Sequence, residues 1–354
     1  MSRRCFVPYS AATAALLLLL NPPAHAAKLY VANNGVDALA CGLMVLGSSC
    51  GSQTNPCRSI TCALQYAQAD DTIVVGPGRY GDVDGDGVIG EPGEETGSLG
   101  CGCMLSVNKS VTLVSSEGAA ATVIDATTVQ VNTNVLLILN GGEFGQPGKG
   151  FTVTDPMPAY GAGIAIDSAN VKVRGNQVVS VLPGHAPGVF ALGGGPIRIE
   201  NNQVIGYWDF GIWAEGTGKT VRRNQVSLRG GQVDIFARGD SVITKNVITG
   251  AFATVGVQAS DGVTVMGNAA YGTLRGILIV PPFSGVVARN NLVGMTCGLV
   301  NAGQTDVDAR LNYWGAASGP GPAPASSVCN QSGGTTMATP FATAPFKVKA
   351  PIKP

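Results

Sequence analysis

The sequence predicts an all-β fold, a right-handed parallel β-helix solenoid with coils of about 22 residues. Three observations lead there. Asn202, Asn224, Asn246, Asn268, Asn290 and Asn312 recur every 22 residues. An alternating, strand-like run precedes each of them: IRIENNQV, TVRRNQV, VITKNVI, VTVMGNAA, VVARNNLV and VDARLNYW. Charged residues make up only 12% of the 354 positions, while Gly reaches 50, which argues against disorder and against a helical bundle. The chain holds 20 Asn, so five further hits at one spacing have a chance probability of about one in a million.

Each element follows from that period. Strands of successive coils pair in parallel about 4.8 Å apart, so a residue recurring once per coil stacks on itself. An Asn amide at a bend can bond the Asn above, the Asn below and nearby backbone, which makes this column structural. VKVRGNQVV, ending its strand at Asn176, is an earlier copy offset by a 26-residue step. A second strand, usually opened by Gly, follows in each coil: GVFAL at 188, GIWAE at 211, VDIFA at 233, GVQAS at 256, GILIV at 276 and GLVN at 298. Alternation puts Val189, Ile212, Val233, Val257, Ile277 and Leu299 in one lumen-facing column. Ala191, Ala214, Ile235, Ala259 and Ile279 follow two residues on. Phe190, Trp213, Asp234, Gln258 and Leu278 are then expected to face outward, and after them Leu192, Glu215, Phe236, Ser260 and Val280.

The N-terminus reads as an export signal. Arg3 and Arg4 precede an apolar run from Ala11 to Leu20, and Ala24-His25-Ala26 supplies a small-residue cleavage site. The run is too short to span a bilayer. A monomer that is secreted, periplasmic or at the cell surface is expected, with no integral membrane segment. Removal of residues 1–26 leaves 20 basic and 22 acidic residues, without the basic field that nucleic acid requires. His185 is then the only histidine, so a Ser-His-Asp triad or a His-rich metal site is hard to build. Eight cysteines remain: Cys41, Cys50, Cys57, Cys62, Cys101, Cys103, Cys297 and Cys329. An even count in an exported chain favours disulfides over zinc. The late two are expected to pair with each other; the pairing of the early six stays open.

The start of the mature chain, KLYVANNGVDALACG and then NPCRSITCALQYAQADDTIVVGPGRYGD, resembles the opening of pectate-lyase-like β-helix proteins. Pro56, Ser59-Ile60, Ala63-Leu64, Ala67, Asp71-Thr72-Ile73, Val75, Pro77-Gly78 and Tyr80 carry the likeness. It implies a short N-terminal capping helix around Ser59 to Gln68 that plugs the open lumen. LNYWGAASGPGP, from Leu311 to Pro322, is similar to the close of such domains, with Trp314 as a lid. The expected organisation is a signal at 1–26 and a cap at 27–103 with an acidic insert at 81–100. A solenoid at 104–322 and a tail at 323–354 follow. The resemblance implies the fold; activity does not follow from it, because this fold carries many activities.

Candidate chemistry lies in two places. Asp82, Asp84 and Asp86 alternate, with Gly after the last, as in calcium loops of the EF-hand type. Position 12 of such a loop is Gly93, so Glu94 or Glu95 is expected to close a structural Ca²⁺ site. Tyr207, Trp208, Phe210, Trp213 and Phe236 crowd two coils. With Phe190 and Glu215 they suggest a carbohydrate-binding surface for a polysaccharide. Arg238 and Asp234 are the nearest candidates for catalytic groups, should the chain cleave an acidic polysaccharide by elimination. They match no lyase motif, and a structural or adhesive solenoid is the alternative.

Overall fold

A computed structural model describes residues 26–37, 41, 50–97, 101–129, 134–154, 161–184, 186–250 and 253–349. All but the last residue of the expected export signal, and His185, lie outside the described residues. Among those described, three parallel sheets hold ten, nine and ten strands. The first sheet runs from Lys28–Val31 to Val286–Ala288, the second from Gly78–Gly81 to Asn291–Val293, and the third from Cys103–Val107 to Ser327–Asn330. Each coil visits them in that order, and each strand pairs with its counterparts one coil away. Thus Val221 lies between Ile199 and Ile243, Val204 pairs with Val226, and Ile212 with Ile235. The inward residues Ile199, Val204, Ile212, Ala214, Val221, Val226, Ile235 and Ala237 are fully buried and form one continuous core.

The bend between the first and second sheets carries the Asn ladder. Asn176 and Asn202 through Asn312 are all buried. The Asn224 backbone N–H donates to Asn246 Oδ1 at 2.9 Å, while its Nδ2 donates to Ile199 O at 2.8 Å and to Asn246 Oδ1 at 3.1 Å. The residue before each Asn is left-handed: Asn201 (φ 56°), Arg223 (φ 56°), Lys245 (φ 58°), Arg289 (φ 55°) and Leu311 (φ 62°), with glycine at 175 and 267. That conformation turns the chain through the bend, and the amide takes up the polar groups left inside it.

One register differs from the alternation reading. Ile235, not Val233, stacks on Ile212, and Ala237 stacks on Ala214. The outward column is therefore Phe190, Trp213, Phe236, Gln258, Leu278. Paired residues of the second sheet in these two coils are 22 apart (Val204, Val226), but those of the third are 23 apart (Ile212, Ile235). The turn between them has gained one residue, and Ile235 and Phe236 keep their expected inward and outward sides while taking the column places that alternation gave to Val233 and Asp234.

At the N-terminal end the helix α1 (Ile60–Tyr66) buries Ile60, Cys62, Ala63 and Leu64 over the first coil. Ser59 caps it, its side chain accepting from the Cys62 N–H at 3.1 Å. The early cysteines pair as Cys41–Cys62, Cys50–Cys57 and Cys101–Cys103, the late ones as Cys297–Cys329 with Cα atoms 5.8 Å apart. Trp314 is fully buried at the far end. Beyond residue 322, Ser327–Asn330 pairs with Cys297–Asn301, and Thr336–Met337 pairs with Val307–Asp308.

Candidate functional site

The outer face of the third sheet gathers rings from consecutive coils. Trp213 and Phe236 have centroids 4.4 Å apart, Phe210 and Trp213 4.6 Å, and Phe190 and Trp213 5.7 Å. Phe210 also meets Phe236 edge-on at 6.1 Å. All four are half-buried. They stack because parallel pairing brings one outward position of each strand over the next.

A second column of charges runs beside the rings. Trp213 Nε1–H donates to Glu215 Oε2 at 3.1 Å. Glu215 is in register with Arg238, and the two side chains meet at 3.5 Å. Arg238 Nε lies 3.4 Å from Asp261 Oδ2. The guanidinium thus bridges two carboxylates on an exposed surface, where such pairs add little stability but hold side chains in place.

Three expected members do not join this face. Trp208 is fully buried. A Cβ on Gly163 or Gly188 would stand 3.3 Å from its indole, so the ring fills space that those glycines leave open inside the solenoid. The alternation of Val204 and Gly206 continues inward through the turn to Trp208. Tyr207, half-buried, sits beside it at the end of a second-sheet strand, away from the ring contacts described above. Asp234 is fully buried instead of outward. Its Oδ1 accepts from the Leu228 N–H at 3.3 Å, its Oδ2 has no partner among the described residues, and burial pushes the carboxyl well above the usual carboxylate range. A carboxyl inside the wall cannot reach a substrate, so Asp234 is no catalytic candidate.

Phe210, expected in the aromatic cluster, joins the face against the alternation of its strand, and Asp261 went unread in the sequence. Phe210 precedes Gly211 at the head of its strand, where alternation points it inward with Ile212. Asp261 ends its strand in a left-handed conformation (φ 54°), and its Oδ2, which meets Arg238, also accepts from the Gly239 N–H at 3.3 Å. The sizeable cleft lined by Val286, Ala288, Asp308, Arg310, Leu311 and Pro340 lies between the last coils and the C-terminal segment, on another sheet.

The acidic insert occupies the corner between the second and third sheets at the first coil. Asp82 Oδ1 accepts from Gly85 N–H at 2.7 Å, and its Oδ2 accepts from Gly87 N–H at 2.8 Å and from Thr128 Oγ1 at 2.6 Å. One carboxylate oxygen from each of Asp82, Asp84 and Asp86 lies within 4.8 Å of the others, and the same holds for Asp84, Glu91 and Glu94. Repulsion from Asp86 and then Asp84 raises the Glu91 pKa above the usual value. Glu95 is turned away. It is buried, its Oε1 accepts from Ile60 N–H and its Oε2 from Thr61 N–H, both at 2.7 Å, at the start of α1.

Residues 161–313 match the family model described as a right handed beta helix region. The fold is a right-handed parallel β-helix. Residues 45–191 of this β-helix also match a family described as a protein of unknown function (DUF1565). No curated protein matches the chain. Among solved structures, the β-helix is similar to a pectin methyl esterase of rice weevil, with 10% identity and a TM-score of 0.42 over 69% of this chain and 82% of that one. It is also similar to pectate lyase Pel9A, with 11% identity and a TM-score of 0.48 over 90% of this chain and 78% of that one.

Proposed function

We propose that this β-helix is an exported protein that binds polysaccharide along the outer face of its third sheet, without cleaving it. The carrying observation is the pair of parallel columns: Phe190, Trp213 and Phe236 in successive coils, flanked by Glu215, Arg238 and Asp261. Aromatic faces and edges cover the apolar side of a sugar ring, and the charged column offers donors and acceptors to its hydroxyls. Coils rise about 4.8 Å, close to the advance of one saccharide along an extended chain, so subsites can follow coils. One stacked sugar contributes on the order of 1 kcal/mol beyond its buried area, so useful affinity requires several such subsites.

Binding fits the face better than lyase chemistry does. Elimination from a uronate needs a cation for the sugar carboxylate and a base at the reacting carbon. Arg238, the cation nearest Trp213, is already shared by two carboxylates.

A glycan array on the purified protein, paired with an ultraviolet assay for unsaturated uronates, tests this reading. Binding to one glycan class is expected, with no unsaturated product and with the melting curve of Trp213→Ala near that of the parent. Loss of that binding in Trp213→Ala supports the site. A blank array, or binding that survives the substitution, returns the structural or adhesive solenoid as the better account.

A further inference from the structure

We propose that the acidic insert binds one calcium ion between Asp82, Asp84, Asp86, Glu91 and Glu94, and that the ion fastens the N-terminal cap to the first coil. Two independent features point there. One is the pair of carboxylate triads, Asp82–Asp84–Asp86 and Asp84–Glu91–Glu94, that share Asp84 in a turn carrying left-handed glycines: Gly85 (φ 84°), Gly87 (φ 90°) and Gly90 (φ 96°). The other is Glu94. It is 6% exposed, its Oε1 accepts from the Val83 N–H at 2.8 Å, and its Oε2 is buried with no partner among the described residues.

A carboxylate oxygen taken out of water and left without a donor is costly. The Glu94 carboxylate sits among other acceptors: one oxygen each of Asp84 and Glu91 lies within 4.8 Å of one of its own. No side-chain donor can satisfy a nest of carboxylates as a hard cation does, and calcium takes six to eight oxygens in irregular geometry. The loop backbone already holds the carboxylates in place. Asp84 Oδ1 accepts from Asp86 N–H at 3.1 Å and Asp86 Oδ1 from Val88 N–H at 2.7 Å, which leaves lone pairs on each acid free. Glu94 closes the site and Glu95 does not, since both Glu95 oxygens hold the first turn of α1.

That adjacency gives the ion its consequence. Glu94 and Glu95 are neighbours in the chain; one faces the cation and the other the start of the cap helix. Asp82 is tied to Thr128 in the following coil. Ordering the insert therefore orders α1, which covers the open end of the core.

Calorimetric titration of the metal-stripped full chain with calcium chloride, and separately with magnesium chloride, tests the site. About one equivalent of calcium is expected, with Kd of roughly 10⁻⁵ M or tighter and magnesium at least about tenfold weaker. Asp84→Asn, an exposed position, and Glu94→Gln should each weaken calcium about tenfold or more while keeping the parent circular dichroism. Absence of calcium heat at millimolar concentration, or parental affinity in both variants, overturns the site. Hydrogen exchange reads the coupling: calcium should slow the Ile60 and Thr61 amides. Calcium binding that leaves these two amides unchanged overturns the fastening of the cap.

Discussion

Asp234 lies in the register place held by Gly211 one coil earlier: Phe210 pairs with Val233 and Ile212 with Ile235 on either side. The contact is close, since a Cβ on Gly211 would stand 2.5 Å from the Asp234 carbonyl oxygen. Gly256 occupies the equivalent place in the next coil, between Val255 and Val257, which pair with Val233 and Ile235. A column of glycines thus contains one carboxyl, and that carboxyl points into the wall.

The buried carboxyl makes stability depend on pH. Burial raises the folded-state pKa of Asp234 above the 3.8 of an ordinary Asp. Between those two values the native state holds a proton that the unfolded chain releases, so stability falls as pH rises through that window. Asp234→Asn keeps an acceptor for Leu228 and carries no charge. It should melt above the parent at neutral pH and close to it below pH 3.8. Melting curves across pH 3.5 to 8 decide this; a gap that does not vary with pH would remove the buried-carboxyl account.

The Asn ladder predicts a local cost. Asn246→Ala removes the acceptor of Asn224 N–H and Nδ2 and the donor to Val221 O at 2.9 Å. Leaving such groups unpaired in a buried bend should lower stability by about 1–3 kcal/mol. Chemical denaturation measures it, and a parental midpoint would show that the column is dispensable.

Lys219 is another buried polar group, 1% exposed. Its ammonium donates to the carbonyls of Gly193, Gly195 and Thr217, closing the turns between the third and first sheets. Lys219→Met fills similar volume but leaves three carbonyls without their donor, and should cost about 2–4 kcal/mol. A neutral or stabilising effect would mean that water replaces the ammonium there.

The Cys297–Cys329 bridge joins residues 32 apart on adjacent strands of the third sheet. Constraint of the unfolded chain by a loop of this length is worth about 3–4 kcal/mol. The double variant Cys297→Ser with Cys329→Ser should lose that much in guanidinium unfolding. Reduction should have no further effect on this bridge, and a parental midpoint would count against it.

Period and composition alone determined the solenoid, the Asn ladder and the late disulfide. These rest on a repeat that the chain spells once per coil, and stacking converts such a repeat directly into contact. Trp213, Phe190 and Glu215 could likewise be placed outward from alternation within single strands. What only the tertiary structure decided lies at the turns. One added residue moved Phe236 into the column of Trp213 and set Asp234 in the buried place that Gly211 holds one coil earlier, and continued alternation through a turn buried Trp208. The Glu94 and Glu95 carboxylates, equivalent as sequence, part company because one accepts from the Val83 N–H within the insert and the other from the Ile60 and Thr61 N–H groups that open α1. Periodicity is a local property of a strand, but the phase between strands is set by turn length and by what the turn packs against. That information exists only after the coils have stacked.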